Sequence, residues 1–133
     1  MSARIRDSFA RQTMMATLGA ELTHIGKGDV TIAAPILPTA LQQHGYGHAA
    51  LTFAIGDSAA GYAALTILPD GAEILTIEMK INLLRPCAGD SLIARGKVVK
   101  PGRRLIVVSA TVSALRDGEE SDIALLQGTM IPA

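Results

Sequence analysis

The sequence predicts an α+β domain in which an antiparallel β-sheet wraps around one long central helix. Three observations lead there. The run Leu51 to Leu68 is apolar or small throughout except for one charged residue, Asp57. After residue 71 the hydrophobic period changes from helical to two, which marks half-buried strands. Before the run, two short β-rich segments flank a glycine turn. A helix that is apolar nearly all round must be covered on most sides, and an antiparallel sheet together with a second copy of the chain does this.

Taken in order, Arg4 to Leu18 has helical spacing, with Ile5, Phe9, Met14 and Leu18 on one side, and Gly19 as its stop. Glu21 to Ile25 and Asp29 to Ala34 read as a hairpin around Gly26-Lys27-Gly28. Pro35 to Gly47 is a loop long enough to suggest function. The central helix is predicted from His48 to about Leu68, where Pro69-Asp70-Gly71 breaks it. Leu75, Ile77, Met79, Ile81 and Leu83 then alternate with Thr76, Glu78, Lys80 and Asn82, and Arg85-Pro86 ends that strand. Asp90 to Val99 is a further strand, with Arg95 and Lys97 on one face. Lys100-Pro101-Gly102-Arg103 turns the chain into Leu105 to Leu115, whose Ile106, Val108, Ala110, Val112 and Ala114 share a side. Asp117-Gly118 turns again, and Ser121 to Ile131 is the last strand.

Composition narrows the function. The chain has 133 residues, 49% of them hydrophobic and 18% charged, which suits one domain, residues 1–133, with a sizeable core. The formal net charge of zero offers no basic excess for nucleic acid or an anionic membrane. The central run is too rich in Ala, Gly, Ser and Thr, and too marked by Asp57, to read as a membrane span. One cysteine, Cys87, permits no intrachain disulfide, and Met1 to Ala10 has no signal-like apolar stretch, so a cytoplasmic location is expected. His24, His44 and His48 form no metal-like set with Cys87, and no metal is expected.

The chemistry centres on Asp57, because a carboxylate inside an apolar helix is costly unless it is satisfied or used. The helix start offers free backbone N–H groups and a positive dipole end. Aimed at a developing oxyanion, such donors contribute several kcal/mol, and Ala49 is small enough to let a substrate reach its N–H. Nine helical steps set His48 and Asp57 on opposite faces about 13 Å apart along the axis. One chain therefore does not bring the helix start and Asp57 to one atom, whereas two antiparallel helices do. Paired sites at a dimer interface are expected. Asp57 is either general base or nucleophile, Thr76 holds the carboxylate or a water, and His48 and Gln42 orient the loop or the substrate. Lys100, Arg103 and Arg104 around Gly102 are candidates for binding phosphates.

Gln42, then His48-Ala49, then Asp57 eight residues after Ala49, followed by Thr76, resembles the pattern of the hotdog-fold acyl-CoA thioesterases, and most closely the phenylacetic-acid-degradation (PaaI-like) thioesterase family. Leu84-Arg85-Pro86 with Gly89-Asp90, and Gly102-Arg103-Arg104, resemble that family's later strands. The family usually has Asn where Gln42 stands and Gly-Gly where Ala49-Ala50 stand. The resemblance implies hydrolysis of a small or medium acyl-CoA, aryl-acyl-CoA among the candidates, with CoA as part of the substrate and no metal or redox cofactor. It implies that the thioester oxygen sits on the Ala49 N–H, that Asp57 of the other subunit activates water or attacks, and that Thr76 positions the water. Gln42 and His48 then shape the carbonyl end, and the nucleotide lies near the basic turn. It implies a homodimer with shared sites, commonly paired into a tetramer. Two other readings compete: a hydratase or dehydratase of the same fold using His48, and a binding or sensing module for acyl-CoA without turnover.

Overall fold

The computed structural model describes residues 2–133; Met1 lies outside the described residues. Two short helices, α1 (Ser2–Ala10) and α2 (Thr13–Leu18), open the chain. The hairpin β1 (Glu21–Gly26) and β2 (Asp29–Pro35) follows, then α3 (Ala49–Leu65). The remaining strands are β3 (Ile74–Leu83), β4 (Ser91–Lys100), β5 (Ile106–Arg116) and β6 (Glu119–Pro132). They form one six-stranded sheet in the order β1-β2-β4-β5-β6-β3, antiparallel at every pairing. Helix α3 crosses one face of this sheet, from the β2 side to β3 at the far edge, and packs against β2 to β6.

The inward row of each central strand makes the core. Leu92 and Ala94 of β4 and Ile106, Val108, Ala110, Val112 and Ala114 of β5 are buried beneath the helix residues Ile55, Ala59, Ala60 and Ala63. The helix sits so low that a Cβ on Gly96 would collide with the backbone of Ala59 and Ala60. Gly56 meets the sheet from the other side, where a Cβ would lie 2.9 Å from a Leu126 methyl. Gly56 thus trades helix propensity, and Gly96 strand propensity, for close approach, while the alanines of α3 give both propensity and closeness. Asp117 and Gly118 both have positive φ, 51° and 81°, the geometry of a tight two-residue hairpin joining β5 to β6.

The structure corrects three sequence expectations. The single helix expected over Arg4 to Leu18 is broken. The Arg11 and Gln12 N–H groups bond back only three residues, to Ser8 and Phe9, and Gln12 is extended (φ −80°, ψ 100°). Its side chain is recruited by the distant Tyr62 hydroxyl at 2.8 Å, a contact that local spacing does not encode. The central helix, expected to reach Leu68, ends at Leu65. The Arg4 guanidinium meets the last carbonyls, donating to Leu65 at 2.8 Å, Leu68 at 3.0 Å and Pro69 at 2.6 Å. This fastens α1 over the negative end of α3.

The third correction concerns β3. Its register against β6 skips Ile77, with Thr76 opposite Met130 and Glu78 opposite Thr129. This bulge inverts the inward parity of the strand. Thr76 faces α3 before it; Met79 and Ile81 are the half-buried residues after it. Leu75 and Ile77, expected in the core, are 57% and 52% exposed. No helix among the described residues is long and apolar enough to cross a membrane.

Candidate active site

The loop before α3 is wound tightly around its own backbone. The Gln42 side-chain oxygen accepts from the His44 N–H at 2.5 Å and the Tyr46 N–H at 3.4 Å. The Gln42 N–H donates to the Tyr46 carbonyl at 2.8 Å. Gly47 donates to the Cys87 carbonyl at 2.8 Å, and its lack of a side chain leaves room for the buried Cys87 sulfur. The His48 N–H donates to the Ala40 carbonyl at 2.9 Å.

These bonds aim the helix start. His48 is the cap: its extended backbone (φ −66°, ψ 143°) precedes the helix, and its Nδ1 accepts from the Ala50 N–H at 2.8 Å. Nδ1 therefore carries no proton in this arrangement, leaving the ring proton on Nε2. With the neighbouring donors taken, the Ala49 N–H finds no acceptor among the described residues. It opens on a cavity of about 570 Å³ lined by Gln42, His48, Thr52, Leu83, Leu84 and Arg85, among others.

Asp57 stands two turns further along α3, half-buried, in a second cavity of about 200 Å³. The Thr76 hydroxyl donates to its carboxylate at 2.8 Å, and the Met130 sulfur lies 3.0 Å from the same hydroxyl. Burial pushes the Asp57 pKa above the ordinary carboxylate value, and the Thr76 hydrogen bond partly offsets the rise. The result is a carboxylate more basic than a solvated one, held in place by one hydroxyl.

The structure brings Asp57 together with Thr76, and Gln42 together with His48 and Ala49. It does not bring the two groups together: the cavities share no lining residue. Thr76 and Leu83, at the two ends of β3, are seven residues apart, roughly 20 Å of strand. The basic turn lies at the Asp57 end. Thr76 pairs with Met130, and Met130 pairs with Ile106, which directly follows the turn. Lys100, Gly102, Arg103 and Arg104 are all exposed there.

Sequence reasoning missed a polar cluster beside Asp57. The buried Tyr62 hydroxyl receives the Gln12 amide at 2.8 Å and lies 3.0 Å from the Ser8 hydroxyl, while Ser58 reaches the Gln12 oxygen at 3.5 Å. The signal was Tyr62 itself, since a buried phenol needs a partner. Which residues answer it depends on how α1 and α2 fold back. Among the described residues, no three His, Cys, Asp or Glu side chains are grouped to hold a metal ion.

The family model of the thioesterase superfamily matches residues 44–121, which contain the helix start, Asp57, Thr76 and the basic turn. The solved structure of a thioesterase family protein from Silicibacter pomeroyi is similar with a TM-score of 0.96 and 44% identity, covering 98% of this chain and 96% of that one. A point mutant of the phenylacetic acid degradation protein PaaI from Thermus thermophilus is similar with a TM-score of 0.77 and 25% identity, covering 90% of this chain and 98% of that one. A Halobacterium salinarum protein that carries a provisional esterase name is 28% identical over 125 residues, 87% of this chain and 82% of its own length.

Proposed function

The chain belongs to the thioesterase superfamily and is a thioester hydrolase of the hotdog fold, and on that premise we propose that it cleaves the CoA ester of a small or medium acyl group to the free acid and CoA. The observation that carries this reading is the pairing of a half-buried, basicity-raised Asp57 with the Thr76 hydroxyl in one cavity, while an unused Ala49 N–H opens the other.

The two halves meet across a two-fold axis. β3 is a free edge of the sheet. An axis through its middle, near Met79 and Lys80, pairs β3 with its own copy and sets Thr76 of one chain beside the partner's Leu83. That joins the Asp57 cavity to the helix-start cavity of the other chain. The exposed Phe53, one turn from both Ala49 and Asp57 on the same helix stripe, is covered in such a dimer.

In the joined site the thioester oxygen accepts from the partner subunit's Ala49 N–H. Asp57 takes a proton from a water held by Thr76, and the hydroxide adds to the carbonyl carbon. The tetrahedral oxyanion is stabilised by the N–H and the helix dipole. Its collapse breaks the C–S bond, and the thiolate leaves with the proton returned from Asp57. Direct attack by the Asp57 carboxylate, followed by hydrolysis of the anhydride, gives the same products. Gln42 and His48 hold the loop that aims the donor. The basic turn of one chain then lies on the side of the partner's helix-start cavity, and it supplies positive charge to the nucleotide phosphates of the arm that leaves there. With Nδ1 committed to the cap, His48 serves the helix rather than an acid–base cycle, which disfavours the hydratase reading.

Thiol release from acetyl-, hexanoyl-, palmitoyl- and phenylacetyl-CoA tests the proposal. Wild-type turnover that falls about 10²-fold or more in Asp57→Asn supports it. No turnover of any ester by folded wild-type protein overturns it in favour of a binding module.

A further inference from the structure

Resting on that reading, we infer that the cavity behind Asp57 selects short acyl groups that carry a hydroxyl or keto oxygen beyond the thioester carbonyl, and rejects those that carry a carboxylate. The cavity adjoins the attacking group, so a substituent of the carbonyl must enter it. The two candidates are the acyl chain and the CoA arm. The arm needs a long open route, which the cavity of about 570 Å³ before the helix start supplies. The space behind Asp57 is about 200 Å³ and suits the acyl end. By comparison, an apolar cavity of about 150 Å³ takes one benzene ring, which limits the acyl end to roughly six to eight carbons.

Its walls are the unusual feature. A site for a plain hydrocarbon is lined mainly by apolar side chains. Here Ser8, Gln12, Ser58 and Tyr62 line it with Thr76, and Leu65 and Ile74 are its apolar members. The internal bonds leave donors to spare. If Gln12 donates one amide hydrogen to the Tyr62 oxygen, Tyr62 donates to Ser8, and the Ser8 hydrogen and the second Gln12 hydrogen remain free. An uncharged oxygen on the acyl chain accepts these donors. A plain alkyl group leaves them unpaired when it displaces water, a penalty that polar sites use to discriminate. The charged members of the lining are Asp57 and Glu73, both acidic, and no lysine or arginine is among them. Arg4 of α1 is committed to the carbonyls that end α3, and Arg6, Arg11 and the basic turn are exposed outside the lining. A terminal carboxylate therefore meets two like charges and no partner.

The position of the cluster fits a selective rather than a structural part. Ser8 and Gln12 come from α1 and the α1–α2 link, and Asp57, Ser58 and Tyr62 come from α3. The fold thus uses its N-terminal helices as the outer wall of the acyl pocket.

The test compares kcat/KM for matched esters: butyryl-CoA with β-hydroxybutyryl-CoA, and hexanoyl-CoA with ω-hydroxyhexanoyl- and adipyl-CoA. At least one hydroxylated ester is expected to exceed its parent by about tenfold, the scale of one added hydrogen bond, with adipyl-CoA the poorest of its series. Gln12→Leu and the milder Ser8→Ala are expected to shrink the hydroxyl-to-parent ratio toward one. Because the readout is a ratio within one preparation, a partial loss of folded protein does not mimic the result. Equal efficiency across each pair, or a preference that both variants retain, overturns the pocket assignment and leaves the thioesterase reading standing. No thiol release from any ester overturns both.

Discussion

Asp57, the base of the proposed mechanism, ties chemistry to stability in a single residue. Its pKa is raised in the folded chain by burial, against the opposing bond from Thr76. As the proposed base it works only when ionised, so kcat/KM should fall as pH drops through that raised value, above the range of a solvated carboxylate. Thr76→Val removes the bond that lowers the pKa, and the acid limb of the pH–kcat/KM profile should move to higher pH. The stability consequence has the opposite sense. A carboxyl whose folded pKa exceeds its unfolded value stabilises the fold below the unfolded pKa, and that contribution is lost as pH rises through the folded one. Asp57→Asn, which keeps an acceptor for Thr76, should therefore melt above wild type at pH 7. The difference should vanish below about pH 4, near the unfolded carboxylate value, and melting curves at the two pH values check it. Asp57 was legible in the sequence because it is the only charge in an apolar helix. Ser8 and Gln12 were not, because their meaning comes from Tyr62, at least fifty residues away.

At the scale of elements, the site depends on where α3 starts and how closely it lies on the sheet. His48 caps the start through Nδ1. His48→Ala should cost about 1 kcal/mol in denaturant unfolding, as lost caps do, and should also lower turnover by loosening the Ala49 donor. Gly96 sets the height of the helix, since any Cβ there meets the backbone of Ala59 and Ala60. Gly96→Ala should destabilise by about 1–3 kcal/mol, the range of overpacked cores, or more if the helix cannot lift. Periodicity gave the strand and helix order because each element has a buried face. It misassigned Leu75 and Ile77 because the Ile77 bulge inverts the faces of β3, and a bulge is fixed by pairing with β6 rather than by local pattern. The same inversion turns Thr76 inward to reach Asp57. The extension of the central helix to Leu68 failed for a related reason: Arg4, distant in sequence, takes up the carbonyls at its end.

For the whole molecule, the decisive fact is that Asp57 and the Ala49 N–H, the two groups of the proposed site, lie in separate cavities of one chain. The sequence already indicated the separation through the rise of the helix. The free edge of β3 adds the surface through which two copies can join them. Mixing two inactive variants tests this most directly. Ala49→Pro removes the proposed oxyanion donor while suiting the first helical position, and the extended backbone of His48 is the conformation a residue before proline prefers. Alone, it should lose about 10²–10³-fold in turnover. Asp57→Asn should be comparably impaired. In a dimer of one of each, one site pairs the intact Asp57 with the intact Ala49, and the other site has neither. Equal mixing with subunit exchange should restore thiol release to about a quarter of wild type, because half the dimers are mixed and each has one working site. Turnover that stays at the level of the separate variants after verified exchange would contradict the shared site.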